Sequence, residues 1–273
     1  MQDPDETIRG TNDDALQSKL SAINAGYIDD KYASVFLKRG EKRAPIINRG
    51  TFTRTYSIDH LISKFIEKHE RSQILSIGAG SDSRYFCLKD RNQQPTRYIE
   101  IDFPQITGKK AMTVCKNKQT KALLGEVSIE NGGLDLYSED YCLIAGDLRE
   151  FKSKILLQLL SKGVDTSVPT LVLSECVMIY LDPTVSDMLI QTIAESFKES
   201  YFISFEQILP NDAFGGQMLH NLKLRGIELL GISAYPTIDS QIQRFIDHGF
   251  KSCIAHDMNT LYERYVPIAE KQR

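Results

Sequence analysis

The chain has 273 residues, 41% hydrophobic and 25% charged, with 17 Gly and 9 Pro. That composition excludes collagen-like, low-complexity and wholly disordered classes and points to one α/β domain with a sizeable core. The 33 basic and 36 acidic residues leave a net charge of −3, so nothing in the balance draws the chain toward nucleic acid or an anionic membrane.

The longest apolar runs, Ile155 to Leu160 and Val177 to Leu181, fall far short of the roughly 18 residues of a membrane span. The acidic first 20 residues lack the basic start and apolar centre of a secretory signal. Five scattered cysteines, without a CxxC pair, suit neither a disulfide framework nor a zinc site and imply a reducing cytosolic or nuclear setting.

In chain order, residues 1–11 read as a mobile tail, and Asn12 or Asp13 as the cap of a helix with Leu16, Leu20 and Ile23 on one face. Residues 38–50 read as an exposed connection. An amphipathic helix follows over 51–69, carrying Tyr56, Ile58, Leu61, Ile62, Phe65 and Ile66. The run 73–77 is a short β-branched strand that ends in Gly78-Ala79-Gly80-Ser81-Asp82-Ser83-Arg84, after which a helix resumes.

A second strand, 98–102, closes on acidic residues, and Phe103-Pro104 starts a helix to about 115. Residues 125–138 are turn-rich. A third strand at 141–145 ends in Gly146-Asp147-Leu148, followed by a helix at 151–160. The strand 170–175 comes next, then a helix from Asp182-Pro183, a strand at 201–208, a Gly-containing segment at 211–232, a helix at 238–247 and a strand at 251–256.

Strands alternating with helices imply a mostly parallel sheet covered on both faces, with ligands bound beyond the carboxyl ends of its strands. Four successive strand ends carry turn glycines or carboxylates: Gly78 and Gly80, Glu100 and Asp102, Asp147, and Glu175. The acids at 100 and 102 lie about 20 residues past the glycine turn, where a carboxylate accepts hydrogen bonds from ribose hydroxyls. That pattern suits an adenosine-type ligand, NAD or S-adenosylmethionine, although Ser83 replaces the third glycine of the dinucleotide fingerprint.

The residues that carry a resemblance are Arg43-Ala44-Pro45-Ile46-Ile47-Asn48-Arg49-Gly50, Gly78-Ala79-Gly80-Ser81-Asp82, Tyr98-Ile99-Glu100-Ile101-Asp102-Phe103-Pro104, Gly146-Asp147-Leu148-Arg149, Ser174-Glu175-Cys176-Val177-Met178-Ile179-Tyr180 and Asn211-Asp212-Ala213-Phe214-Gly215. On these strings, spread from about residue 10 to about residue 265, the chain resembles the leucine carboxyl methyltransferases. Those enzymes esterify the C-terminal leucine of the protein phosphatase 2A catalytic subunit.

The resemblance implies a Rossmann-like class I S-adenosylmethionine-dependent methyltransferase fold with an N-terminal helical lid. It divides the chain into a tail and lid over 1–70 and a methyltransferase core over 71–273. Its cofactor-binding roles fall on Lys19, Arg54, Gly78, Asp102, Asp147, Leu148 and Glu175. The cofactor implied is S-adenosylmethionine, leaving as S-adenosylhomocysteine; the partner implied is the phosphatase catalytic subunit, with no nucleic acid or membrane.

A terminal carboxylate, with a reference pKa near roughly 3.5, is ionised at neutral pH and needs no general base. Arg54 and Tyr180 are therefore expected to position it, with Arg149 as a third candidate. The five histidines have no metal-ligand spacing, and no metal is implied.

The family's sheet has seven strands, the last antiparallel between the fifth and sixth. This chain is expected to lack that last strand, leaving 201–208 with an open edge and 251–256 without a neighbour. The alternative function that follows is a C-terminally truncated, weakly active or inactive isoform that binds cofactor or phosphatase without turnover.

Overall fold

A computed structural model describes residues 4–38 and 40–272. In chain order the elements are α1 (Pro4–Asn24), α2 (Ala33–Phe36), α3 (Pro45–Lys68), β1 (Gln73–Ile77), α4 (Arg84–Asp90), β2 (Arg97–Asp102), α5 (Pro104–Lys116), α6 (Lys118–Leu124), β3 (Ser128–Glu130), β4 (Asp135–Tyr137) and β5 (Tyr141–Ala145). They continue with α7 (Leu156–Ser161), β6 (Thr170–Glu175), α8 (Pro183–Ser196), β7 (Ser200–Phe205), α9 (Ala213–Leu224), α10 (Ile238–Asp247), α11 (Met258–Tyr265) and α12 (Ile268–Gln272).

The strands form one sheet in the order β3-β4-β5-β2-β1-β6-β7. The five strands β5, β2, β1, β6 and β7 run parallel, and β4 is antiparallel to both of its neighbours, β3 and β5. Alternation along the strands feeds both faces. Ile74, Tyr98, Leu171 and Leu173 meet Ile58, Ile62 and Phe65 of α3 and Phe86 of α4 on one side. Leu75, Ile77, Ile99, Ile101 and Val172 meet Ile155, Leu159, Leu189 and Ile193 on the other. At β1 the strand order reverses between β2 and β6, which opens a crevice beyond the strands' carboxyl ends.

The N-terminal expectation is corrected. Residues 1–3 lie outside the described residues, and from Pro4 onward the expected tail is helix. Asp5 and Glu6 in its first turn suit the helix dipole, and Asp5 is tied to Arg149 at 2.6 Å. The connection expected over 38–50 is shorter, because α3 already begins at Pro45, the favoured proline position of a first turn. Within that string Asn48 is buried and accepts a hydrogen bond from Ser21 at 2.8 Å, which joins α3 to α1.

The turn-rich stretch 125–138 contains the β3–β4 hairpin. β7 is shorter than expected, ending at Phe205. The strand expected at 251–256 is not one: this stretch makes no ladder, and Ile254 is 83% exposed. The hairpin at the opposite edge thus supplies two strands, β3 and β4, which bring the sheet to seven. β7 pairs with β6 alone, and a groove of about 1,340 Å3 separates its outer edge from the 251–256 stretch.

Candidate active site

Beyond the carboxyl ends of β1, β2, β5 and β6 lies a cavity of about 700 Å3. Lys19, Arg54, Gly78, Asp102, Asp147, Leu148, Arg149, Glu175 and Tyr180 all line it. The sheet brings four of its walls together, and α1, lying over the opening with Ile8, Thr11, Asn12 and Ala15, supplies another.

The glycine turn is shaped for close approach. Gly78 and Gly80 have φ of +60° and +53°, a region where side chains are strained. A Cβ on Gly78 would lie 2.5 Å from Val177 Cγ2, and one on Gly80 would lie 2.6 Å from Asn12 Oδ1. Asn12, read from sequence as a helix cap, instead sits inside α1 and accepts from the Ser81 N–H at 2.7 Å.

Asp102 accepts from the backbone N–H of Gly80 and of Phe103, both at 2.7 Å. Burial pushes its carboxyl above the usual range, against the pull of those two bonds. Glu100 does not join the site. It is fully buried, 2.5 Å from Lys110 Nζ, and accepts from Tyr141 Oη at 2.7 Å, so it serves the core under α5.

Asp147 and Arg149 form a local clamp. The Arg149 backbone N–H and Nε both donate to Asp147 at 2.9 Å, and its Nη2 reaches Asp5 at 2.6 Å. Burial alone would raise the Asp147 carboxyl, but the Arg149 hydrogen bonds hold it below the ordinary value. Arg149 thereby fixes a strand-end carboxylate to the covering helix.

Lys19 is not a solvated surface lysine. Its ammonium lies 2.8 Å from Asp30 and 3.5 Å from Asp82, and donates to Ser83 Oγ at 2.9 Å. Burial works against its charge, yet the two carboxylates hold its pKa above the usual lysine value. It pins α1 to the end of the glycine turn.

At the centre, Arg54 Nε approaches Glu175 Oε1 to 2.7 Å. The contact is off the N–H axis, so this buried N–H has no hydrogen-bond acceptor. The guanidinium packs 5.5 Å from the centroid of Phe205. Arg84 grips the other Glu175 oxygen at 3.4 Å while also pairing with Asp59 and Asp82. Tyr180 ends a 3-10 turn after β6, and burial pushes its phenol up to about 12, so it stays a donor.

A family model described as leucine carboxyl methyltransferase matches residues 7–194, which hold Lys19, Arg54, Gly78, Asp102, Asp147, Leu148, Arg149, Glu175 and Tyr180. The chain belongs to the leucine carboxyl methyltransferase family. It is 40% identical to a leucine carboxyl methyltransferase 1 homolog of Arabidopsis thaliana over 97% of this chain and 81% of that one. It is also 34% identical to tRNA wybutosine-synthesizing protein 4 of Homo sapiens, over 97% of this chain but 40% of that one.

A crystal structure titled as a putative methyltransferase from Thermobifida fusca YX shares the fold, with a TM-score of 0.51 at 11% identity over 78% of this chain and 77% of that one. Membership of the leucine carboxyl methyltransferase family makes the chain a methyltransferase with a Rossmann-like class I fold.

Sequence reading missed Asp30, Asp82 and Arg84, the partners that hold Lys19 and Glu175 in place. Asp82 and Arg84 lay in view within the glycine string, but nothing local marks Asp30. It also missed Glu206, placed inside a strand that ends one residue earlier. One Glu206 oxygen accepts from the backbone N–H of Val177 (3.4 Å) and Met178 (3.1 Å), anchoring the turn that carries Tyr180; the other is buried without a partner.

Burial pushes the Glu206 carboxyl up to about 7 despite those backbone bonds. An acid harder to ionise when folded than when unfolded favours the fold most at low pH, and that contribution is lost as pH rises through about 7. The melting temperature is expected to fall between about pH 4.5 and about 7 and then to level off. Glu206→Gln, neutral throughout, should remove that part of the slope, recovering on the order of 2–3 kcal/mol at the alkaline end. Parallel melting curves for parent and variant across this range would exclude the assignment.

Proposed function

We propose that this methyltransferase transfers a methyl group from S-adenosylmethionine to the C-terminal leucine α-carboxylate of the protein phosphatase 2A catalytic subunit, giving a methyl ester and S-adenosylhomocysteine. The observation that carries this reading is the half-buried Arg54 guanidinium, which lines the same cavity as Tyr180 with its Nε against Glu175. A carboxylate is the acceptor whose geometry and charge suit it best.

The lining fits the cofactor. Gly78 and Gly80 leave backbone surface where side chains would collide, Asp102 and Asp147 present carboxylates at adjacent strand ends, and Leu148 is apolar beside them. Lys19 and Glu175 bring opposite charges to the same cavity, matching the carboxylate and ammonium of an amino acid. When bound there, S-adenosylmethionine supplies an electrophilic methyl on a sulfonium.

The protein's own contribution is placement. A terminal carboxylate arrives ionised, so no side chain has to remove a proton. Arg54 fixes the carboxylate's plane, and the Tyr180 phenol donates to fix its angle. Glu175 tempers Arg54: because the guanidinium shares its charge with Glu175, it holds the nucleophile without neutralising it fully, which keeps the ground state from being over-stabilised. Alignment in a cavity shielded by α1 is the main source of acceleration, worth up to roughly 7–11 kcal/mol in well-oriented systems.

The test is incubation with methyl-labelled S-adenosylmethionine and the phosphatase catalytic subunit, counting base-labile label. Label should appear with the intact subunit and vanish when the terminal leucine is removed. Measurable S-adenosylmethionine binding with no label would reject catalysis and leave the binding isoform without turnover.

A further inference from the structure

Ser83 stands where the dinucleotide pattern has its third glycine, and the fold puts its hydroxyl to a specific use. It occupies the N-cap position of α4, where a serine oxygen ordinarily accepts from a backbone N–H of the first turn, yet its side chain makes no such bond. The buried hydroxyl turns instead to α1 and the loop after it. It accepts from Lys19 Nζ at 2.9 Å and donates to Asp30 Oδ2 at 2.6 Å. That same Asp30 oxygen lies 2.8 Å from Lys19 Nζ, which closes a triangle. The other oxygen, Oδ1, accepts from the backbone N–H of Tyr32 at 2.9 Å and of Ala33 at 3.0 Å, so the start of α2 fixes the carboxylate.

An ammonium on a flexible four-carbon stem has no direction of its own; its neighbours set it. Lys19 lines the cavity, whereas Asp30 and Ser83 lie outside that lining and act on its contents only through Lys19. With Asp30 removed, the carboxylate left beside the ammonium is Asp82, at 3.5 Å and itself in the lining, so Lys19 would pair there rather than with a ligand. We propose that Asp30 and Ser83 are positioning residues that hold the Lys19 ammonium toward the carboxylate of the amino-acid end of S-adenosylmethionine. The assignment rests on the cofactor placement proposed above.

Calorimetric titration with two probes tests it: S-adenosylhomocysteine, which carries the amino-acid end, and methylthioadenosine, which lacks it. Loss of one well-aimed charge-assisted hydrogen bond weakens binding about 10- to 100-fold. Asp30→Asn should therefore bind S-adenosylhomocysteine at least about tenfold more weakly than the parent, and Ser83→Ala about threefold or more. Methylthioadenosine affinity should stay within about twofold of the parent in both, which also shows that the variants are folded. Ser83→Ala removes a single oxygen and carries the test alone if Asp30→Asn does not fold. Lys19→Met should show the full loss, and adding Ser83→Ala to it should cost nothing further, because the serine acts through the ammonium.

Equal weakening of both probes in Asp30→Asn and Ser83→Ala overturns the proposal and assigns the triangle to packing of α1 against α2. Unchanged S-adenosylhomocysteine affinity in both variants, with Lys19→Met weakened, overturns it as well. If Lys19→Met itself binds S-adenosylhomocysteine like the parent, the cofactor placement falls first and the positioning role with it. All of these readouts are binding, so a failure of the phosphatase assignment shows separately, as absent label in the methylation assay.

Discussion

Arg54→Ala is expected to lower kcat/KM for the phosphatase catalytic subunit by about 100- to 1,000-fold, roughly 3–4 kcal/mol of transition-state stabilisation. Two effects add. The charged donor that orients the carboxylate is lost, and charge-assisted hydrogen bonds of this kind are worth about 1.5–3 kcal/mol. Glu175 also loses the closer of its two arginines, keeping only Arg84 at 3.4 Å. A partly uncompensated carboxylate then faces the cavity. Arg54→Lys should recover little, because an ammonium cannot present the planar fork or stack on Phe205 as the guanidinium does. Steady-state methylation decides the matter: an Arg54→Ala enzyme within threefold of the parent would falsify the positioning role.

Gly78→Ala should be nearly as damaging, by a different route. An alanine at φ +60° is strained by about 1–2 kcal/mol. Its Cβ would also sit 2.5 and 2.7 Å from the two γ carbons of Val177. Val177 must move, and it begins the turn that ends at Tyr180 and is anchored by Glu206. S-adenosylmethionine affinity is expected to fall at least about tenfold and the melting temperature to drop by several degrees. Val177→Ala removes both colliding carbons, so the double variant should regain part of the affinity while the backbone strain persists. Strictly additive losses in calorimetric titration of the two single variants and the double would show that the clash is not the cause.

The central architecture was legible because its signals are local. The β-branched run 73–77, the glycines at 78 and 80 and the acids closing the next strands state strand, turn and site within short windows. Apart from Glu100, the residues assigned a role in the sequence line the same cavity, most of them at a strand end or in a string tied to one.

What failed was non-local. The acidic start of the chain looks like a tail until Asp5 finds Arg149, 144 positions away. Lys19 has no visible partner in the sequence until the fold delivers Asp30 and Asp82. Glu100 lies within β2 beneath α5, paired with Lys110, whereas Asp102 closes the strand at the cavity, so one serves the core and the other the site. Cys253 and Ile254 have strand-like character, but a strand requires a partner ladder that this stretch does not find.

The unpaired outer edge of β7 carries a consequence for how the chain behaves in concentrated solution. Six residues with Tyr201, Phe202, Ile203 and Phe205 among them leave one row of backbone donors and acceptors facing an apolar groove. Such a row is a template for strands from other copies, most of all during refolding, when β7 must wait for the distant β1 and β6 before it docks. Refolding yield should therefore fall steeply with protein concentration. Lys198 and Glu199, immediately before the strand, are the charges that oppose such growth.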